Sequence, residues 1–180
     1  HFIISAKIIN EISKIIAEDG DAEEVEIYLG KKKATFRIDT TEIVLRLMEG
    51  EYIKYRDIMP TQSTTDIVIG RAILQESIER ASLLAREGKN NLIKMTIKNN
   101  LLTITSRSEE GNVKEEIIME KEGEDLEIGF NSKFVIDVLK VIDDDEISMH
   151  FLTGTSPCMV KPVSGDAYEY LILPVRIPTM

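Results

Sequence analysis

The sequence predicts an α+β protein built from three β-α-β-β-β modules of about 60 residues each. The first observation is a repeat, because residues 5–16 reappear as residues 131–142 with lysines at equivalent positions. The second is that each helical segment follows a short apolar run and precedes three strand-like runs. The third is that short turns join these strands, which is typical of antiparallel sheets with helices on one face. We expect such modules to stack and bury a shared core.

The first module begins with a helix predicted over Ser5–Glu18. Its isoleucines recur with helical spacing from Ile8 onwards, which predicts one buried apolar stripe. Ser5 is the predicted N-cap, and Gly20 is the predicted end of the helix. Three strands follow, near Val25–Leu29, Ala34–Ile38 and Ile43–Leu47.

The second and third modules come after the stretch Glu49–Asp66, which lacks periodicity and contains Pro60. We therefore place a domain boundary there, with one domain over residues 1–60 and another over residues 61–180. Helices are predicted near Arg71–Glu87 and Ser132–Ile142. The remaining strands are predicted near Leu92–Lys98, Leu101–Arg107, Val113–Lys121, Glu146–Leu152, Met159–Val163 and Tyr168–Val175.

Composition limits the classes of function. The chain has 180 residues and a net charge of −10, with 32 acidic and 22 basic residues. Such a total argues against nucleic acid as a partner, although the positions of the charges matter more than their sum. No apolar run reaches the length of a membrane helix, so no membrane contact is expected. The single cysteine excludes an internal disulfide and agrees with a reducing cytoplasm.

The residue types that carry catalysis do not converge in the sequence, and we predict a protein that is not an enzyme. His150 falls within a predicted strand, and Cys158 lacks a basic neighbour in sequence that would lower its pKa. The acidic run Asp143–Glu146 lacks the spaced ligands of a calcium loop, so no metal is expected. No nucleotide-binding motif is present, and no cofactor is expected.

Lysines at repeated positions are the strongest functional signal. Lys7 and Lys14 lie seven residues apart on the first helix, roughly opposite its isoleucines, and Lys133 and Lys140 occupy the same positions in the third module. Matched positive charges on the outer faces of helices suit a phosphate backbone read without base specificity. Arg80, on the middle helix, is a weaker candidate because acidic residues lie close to it.

The order of the modules resembles the bacterial sliding clamp, the beta subunit of DNA polymerase III. The residues that carry the resemblance are Arg80–Ala85, Glu127–Leu139 and Tyr170–Arg176. The segment Tyr55–Pro60 also looks like the family's link between its second and third domains. The likeness covers nearly the whole chain, but the chain continues to Met180, past the usual end of the family.

The resemblance implies the DNA clamp fold and a DNA polymerase processivity factor. A family clamp has three such domains and closes as a head-to-tail homodimer around duplex DNA. By that comparison residues 1–60 are the second half of domain two, residues 61–180 are domain three, and the chain is a fragment. The implied partners are DNA, DNA polymerase III subunits, the clamp loader and repair polymerases, which bind through short linear motifs.

The resemblance also implies two protein-binding surfaces. In the family, linear peptides bind an apolar groove between domains two and three, and a surface of domain three meets domain one of the next subunit. The matching groove positions are Ile58, Asn131, Phe134, Ser156, Cys158, Leu171, Ile172, Leu173, Pro174, Val175 and Arg176. The matching interface positions are Leu83, Leu84, Glu115 and Glu116.

Two other classes of function stay open at this point. A small-ligand-binding or enzymatic domain could reuse the same repeat, and it would require a deep pocket with perturbed titratable groups. A β-rich adhesion module is also compatible with the strands, but it would not explain helices with matching lysines.

Overall fold

The chain forms two compact units, residues 1–54 and residues 55–180. A computed structural model describes residues 2–18, 24–85 and 91–178. The division lies a few residues before the boundary predicted after residue 60, and it places the 3₁₀ turn Tyr55–Asp57 in the second unit. None of the helices described is long and apolar enough to cross a membrane.

The first unit contains one helix and one antiparallel sheet. Helix α1 spans Ala6–Glu18, and strands β1 (Val25–Leu29), β2 (Lys33–Ile38) and β3 (Thr41–Arg46) follow in the sheet order β1-β2-β3. The helix begins at the predicted place, because the carbonyl of Ser5 accepts hydrogen bonds from the next turn. The predicted end at Gly20 lies outside the described residues.

The apolar face of the first unit is only partly covered. The core consists of Ile12, Ala34, Phe36, Leu45 and Leu47. Ile27 pairs with Phe36, so both point to the same side of the sheet, yet Ile27 is 54% exposed. On α1 the predicted stripe is wrong at Ile9 and Ile15, which are exposed. Apolar side chains are therefore left exposed both on the helix and on β1.

The second unit contains two helices and nine strands in the residues described. The helices are α2 (Arg71–Ala85) and α3 (Ser132–Leu139). The strands are β4 (Thr65–Gly70), β5 (Leu92–Lys98), β6 (Leu101–Ser108), β7 (Gly111–Ile118), β8 (Glu120–Gly123), β9 (Leu126–Asn131), β10 (Glu146–Phe151), β11 (Cys158–Pro162) and β12 (Tyr170–Ile172).

The two modules of this unit exchange their first strands. One sheet has the order β12-β11-β10-β4-β8, so β4 of the second module joins strands of the third. The other has the order β7-β6-β5-β9, so β9 of the third module joins strands of the second. All the pairings are antiparallel, as predicted. Each module therefore completes the sheet of the other, which explains why they form one unit.

Three predicted elements differ from the structure. The predicted strand Val113–Lys121 is two strands, because Met119 turns inward to 5% exposure and its amide donates to the carbonyl of Asn100. Strand β8 then crosses to the other sheet and pairs with β4. The third helix ends at Leu139, and the last strand spans only Tyr170–Ile172, after which the chain leaves the sheet.

The core of the second unit lies between the sheets and the helices. On β5 and β6 alternate side chains point inward, and the residues that do so include Ile93, Met95, Ile97, Leu102 and Ile104. Helix α2 contributes Leu74, Ile78, Ala81 and Ala85, which have helical spacing. The cross-strand register brings Met95 opposite Ile104, so both modules share one continuous apolar interior.

A pair of isoleucines on neighbouring strands tests this assignment of the core. Ile104 is fully buried, so Ile104→Ala should lower the free energy of unfolding by about 2–5 kcal/mol. Ile118 is 85% exposed, and Ile118→Ala should change it by less than about 0.5 kcal/mol. Urea denaturation followed by circular dichroism measures both. Equal effects of the two substitutions would contradict the core described here.

Candidate functional site

The predicted DNA-facing lysines of the first unit lie on the exposed side of α1. Lys7 and Lys14 are both exposed, whereas Ile12 on the opposite side is buried. The ammonium group of Lys14 lies 2.9 Å from a carboxylate oxygen of Glu11, one turn earlier. Both side chains of this ion pair are solvated, so the pair is weak and Lys14 can exchange Glu11 for another anion.

The equivalent lysines of the third module have the same placement on α3. Lys133 lies in the first turn and Lys140 is the C-cap residue, and both are exposed. Helix α3 packs beside α2, whose Glu79 lies 3.9 Å from the ammonium group of Lys140. The sequence pattern therefore predicted the exposure of all four lysines, but it did not reveal this carboxylate from the neighbouring helix.

Arg80 differs from the four lysines because two of its guanidinium nitrogens bind one carboxylate. Its Nη2 and Nε atoms donate to Glu115 Oε2 on β7 at 2.7 and 3.1 Å, and Nη2 also donates to Ser77 Oγ at 3.0 Å. The hydrogen bond from Arg80 lowers the pKa of Glu115 and raises that of Arg80. Arg80 is therefore directed at the edge strand and is the weakest of the predicted DNA contacts.

Strand β9 brings several of the predicted groove residues together. Asn131 ends β9 and caps α3, because its side-chain oxygen accepts a hydrogen bond from the amide of Lys133 at 3.0 Å. The cap fixes the first turn of the helix, where Phe134 is 55% exposed. A large aromatic side chain with this exposure is available to a partner.

The segment after β12, Leu173–Pro178, is here named the C-terminal strap. The amide of Val175 donates to the carbonyl of Gly129, in the middle of β9, at 2.8 Å. Leu173, at the start of the strap, is 58% exposed. The strap and the first turn of α3 therefore both take their positions from β9.

The loop between β10 and β11 approaches the same strand. Ser156 closes a turn in which its amide donates to Thr153, and the two side-chain oxygens lie 2.7 Å apart. Within this turn Gly154 lies against the carbonyl of Glu127, since a Cβ at Gly154 would be 2.3 Å from that oxygen. Predicted groove residues on three separate segments are thus assembled along β9.

Other predicted groove residues lie below or apart from this surface. Cys158 and Ile172 pair across β11 and β12 and belong to the buried core, so they support the surface without forming it. Burial raises the pKa of the Cys158 thiol, which disfavours the reactive thiolate. Leu171, Pro174 and Val175 are half-buried, and Arg176 is exposed. Ile58 is exposed just after the 3₁₀ turn.

The predicted subunit interface coincides with an open sheet edge. Strand β7 ends the four-stranded sheet and has no second partner strand among the described residues. Ile118 on β7 is 85% exposed and Leu83 on α2 is 63% exposed, whereas Leu84 is half-buried. Glu116 on the outer side of β7 pairs with Lys114 at 2.5 Å. An open edge with exposed apolar residues is suited to pairing with another strand.

A hydrogen-bonded chain of Asp66, His150 and Ser148 was missed by the sequence reasoning. His150 Nδ1 lies 2.7 Å from Asp66 Oδ1, and His150 Nε2 lies 3.0 Å from Ser148 Oγ. The chain arises because β4 and β10 pair in a register that places Asp66 opposite His150. No local motif signals this contact, because the two strands are distant in sequence.

This order of groups resembles a hydrolase triad, but the serine is not free to act as a nucleophile. Its hydroxyl also lies 3.2 Å from the carbonyl oxygens of Lys161 and Pro162, and its one hydrogen cannot serve all three acceptors. Ser148 is only 8% exposed. The three side chains therefore act as a polar bridge across paired strands.

A cavity of about 580 Å³ lies elsewhere in the second unit. Its lining comes from α2, β5, β6, β7 and the strap, and it includes Lys94, Arg107 and Lys114. None of Asp66, Ser148, His150 and Cys158 lines it. The one cavity described here and the one triad-like cluster are therefore separate, which disfavours a shared catalytic site.

Comparison with known proteins identifies the class of fold and then the family. Several solved structures that match 98% of this chain are clamps or clamp subunits. The DNA polymerase III beta subunit of Thermotoga maritima has a TM-score of 0.81 at 32% identity, and the match covers 48% of that chain. The fold is therefore the DNA clamp fold. The family model of the C-terminal domain of the DNA polymerase III beta subunit matches residues 56–176, and the chain belongs to this family.

Two further relatives agree with this assignment. A beta sliding clamp of Staphylococcus epidermidis is 39% identical over 176 residues, which are 97% of this chain and 46% of that protein. The sliding clamp of Bacillus subtilis has a TM-score of 0.80 at 34% identity, and the match covers 98% of this chain and 47% of that one. The chain thus spans about half the length of the relatives that it matches.

Proposed function

We propose that this chain is part of a sliding clamp, a non-catalytic processivity factor that encircles duplex DNA in the bacterial cytoplasm and tethers polymerases and repair proteins. The observation that carries the proposal is the repeated placement of exposed lysines on α1 and α3, in a chain of the clamp family. Residues 1–60 and 61–180 then correspond to the second half of domain two and to domain three.

The distribution of charge suits a ring that slides on DNA. Lys7, Lys14, Lys133 and Lys140 are point charges on helix surfaces, and they can contact phosphates without reading bases. The chain as a whole is acidic, at −10, so surfaces away from these helices repel DNA. A topological ring needs no tight contact, and the solvated carboxylates near Lys14 and Lys140 keep the lysines from binding phosphate too strongly.

The first prediction from the proposed function concerns DNA. The chain should bind a labelled duplex only at low salt and without sequence preference, at the weak end of roughly 10⁻⁴–10⁻⁶ M. Replacing Lys7, Lys14, Lys133 and Lys140 by Glu should abolish this binding and leave the fold intact, because all four side chains are exposed. Fluorescence anisotropy measures the binding, and circular dichroism measures the fold.

A control variant with the same change in net charge tests whether the positions of the four helix lysines matter. Replacing the exposed Lys31, Lys32, Lys54 and Lys98 by Glu makes the same change in net charge at turns and strand ends. This control should retain clearly more DNA binding than the helix variant. Equal loss in both variants, or undiminished binding of the helix variant, would show that the helices are not the DNA-facing surface.

The surface along β9 is proposed as the part of the peptide-binding groove that this chain supplies. Phe134 and Leu173 offer exposed apolar side chains on two segments that β9 holds in place, and Arg176 adds a positive charge at the rim. Such a surface receives the Leu and Phe anchors of a linear peptide. The partners would be DNA polymerase III subunits, the clamp loader and repair polymerases.

The second prediction concerns this groove. A pentapeptide with Leu and Phe anchors should bind the chain more weakly than it binds a full-length clamp, because the family's groove has a second wall. Leu173→Asp should weaken the remaining affinity about tenfold, as expected for an anchor contact. Val163→Asp is the control, since Val163 has similar exposure on a loop after β11. Calorimetry that shows equal losses would contradict the placement of the groove.

The open edge of β7 is proposed as the subunit interface of the closed ring. Ile118 on β7 and Leu83 on α2 are exposed apolar residues near this edge, and Leu84 is half-buried. Arg80 holds Glu115 against α2, and Glu116 pairs with Lys114 on the outer face of β7, so the backbone at the edge would meet an incoming strand. Domain one of the next subunit would supply that strand in a head-to-tail homodimer.

The third prediction concerns this assembly. In the full-length protein, Ile118→Asp together with Leu83→Asp should convert the dimer into monomers, because two charges would be buried without partners. Ile73→Asp is the control, since Ile73 is exposed near the start of α2. Sedimentation velocity measures the masses. If the dimer persists after the double substitution, the subunit interface does not lie at the edge of β7.

A further inference from the structure

Strand β9 is the last strand of its sheet, and one of its edges pairs with β5. Its other edge is covered by two non-strand segments of the chain. Along its other edge the amide of Val175 donates to the carbonyl of Gly129, and Gly154 lies against the carbonyl of Glu127. The strap and the β10–β11 loop therefore lie directly against the backbone of β9.

Glycine is required at position 129, where the strap passes β9, because a side chain there would not fit. A Cβ placed on Gly129 would lie 2.6 Å from the carbonyl oxygen of Val175, 2.9 Å from Ile177 Cγ1 and 3.0 Å from Leu92 Cδ1. Its φ is not in the left-handed region, so backbone conformation does not demand glycine. The side chains of Ile177 and Leu92 can rotate away, but the carbonyl of Val175 belongs to the strap, so the strap itself would have to move.

The contact of the strap with Gly129 also sets the distance between Leu173 and Phe134, two residues predicted to contact the peptide. Leu173 lies two residues before Val175 on the strap, and Asn131, which caps the helix of Phe134, lies two residues after Gly129 on β9. Any displacement of the strap at Gly129 therefore changes the distance between Leu173 and Phe134. An apolar peptide with two anchors is sensitive to that distance, since each anchor must reach its own contact.

We propose that Gly129 is the positioning residue of the peptide-binding surface. It touches no peptide, and it acts by allowing the C-terminal strap to lie against β9. The inference rests on the proposed peptide-binding function for its consequence, but the position of the strap can be measured without any peptide.

The test compares three variants of the full 180-residue chain. Gly129→Ala inserts the Cβ that displaces the strap. Val175→Pro removes the amide that donates to Gly129 and leaves the glycine in place, so it decides the matter if Gly129→Ala does not fold. Ile97→Val is the control, because it loosens the neighbouring strand β5 in the same sheet without touching the strap.

Two readouts are taken by NMR. The first is amide hydrogen exchange along the strap, including Val175 where that amide is present, and the second is titration with a pentapeptide that carries Leu and Phe anchors. In Gly129→Ala we expect protection of Val175 and peptide affinity each to fall about tenfold. In Val175→Pro the flanking amides and the affinity should respond alike, and Ile97→Val should preserve both quantities.

The possible results distinguish the positioning role of Gly129 from the proposed peptide-binding function. If Gly129→Ala keeps the protection of Val175, or loses it while keeping the affinity of the parent chain, the positioning role of Gly129 is overturned. If the parent chain shows no response to the peptide, the proposed peptide-binding function fails. In that case hydrogen exchange alone decides whether Gly129 positions the strap.

Discussion

The exchange of first strands between modules is the constraint on which the second unit depends. Strand β4 pairs with β10 of the third module, and β9 pairs with β5 of the second, so each sheet is complete only when both modules are present. The exchange places β9 at the end of one sheet, where its outer edge is open to the strap and to the β10–β11 loop. In the part of the chain that the structure describes, β7 is the opposite edge of this sheet and has no strand on its outer side. The two proposed protein-binding surfaces are therefore consequences of one topological rule.

For the charged residues, their positions on the surface matter more than the net charge of the chain. The chain carries an excess of acidic residues, yet the outer sides of α1 and α3 carry lysines at matched positions. Glu11 and Glu79 lie close enough to Lys14 and Lys140 to form ion pairs, but these pairs are exposed and exchange readily with other anions. Contacts of this strength suit the proposed sliding on DNA.

Local patterns predicted the elements well and the contacts between them poorly. The strand-like runs of the sequence predicted β1 and β5 with their observed bounds, and the internal repeat predicted the exposed lysines of α3. The division between β7 and β8 escaped because the apolar alternation runs on through Met119 while the hydrogen bonds change sheets. The pairing of Arg80 with Glu115 also escaped because it depends on how α2 packs on β7, and that of His150 with Asp66 escaped because it depends on strand register. The groove positions came from family resemblance, and the structure alone relates them to β9.

The pairing of β4 with β10 has a consequence for how the chain folds during synthesis. Residues 65–70 must wait for residues 146–151 before this pairing can form, and at 5–20 residues per second the ribosome needs roughly 4–16 s to supply them. During that interval the apolar side chains of Ile67 and Ile69, which are buried in the finished protein, have no partner strand on that side. Such non-local pairings fold slowly. Until the third module emerges, β4 of the nascent chain is therefore open to non-native pairing.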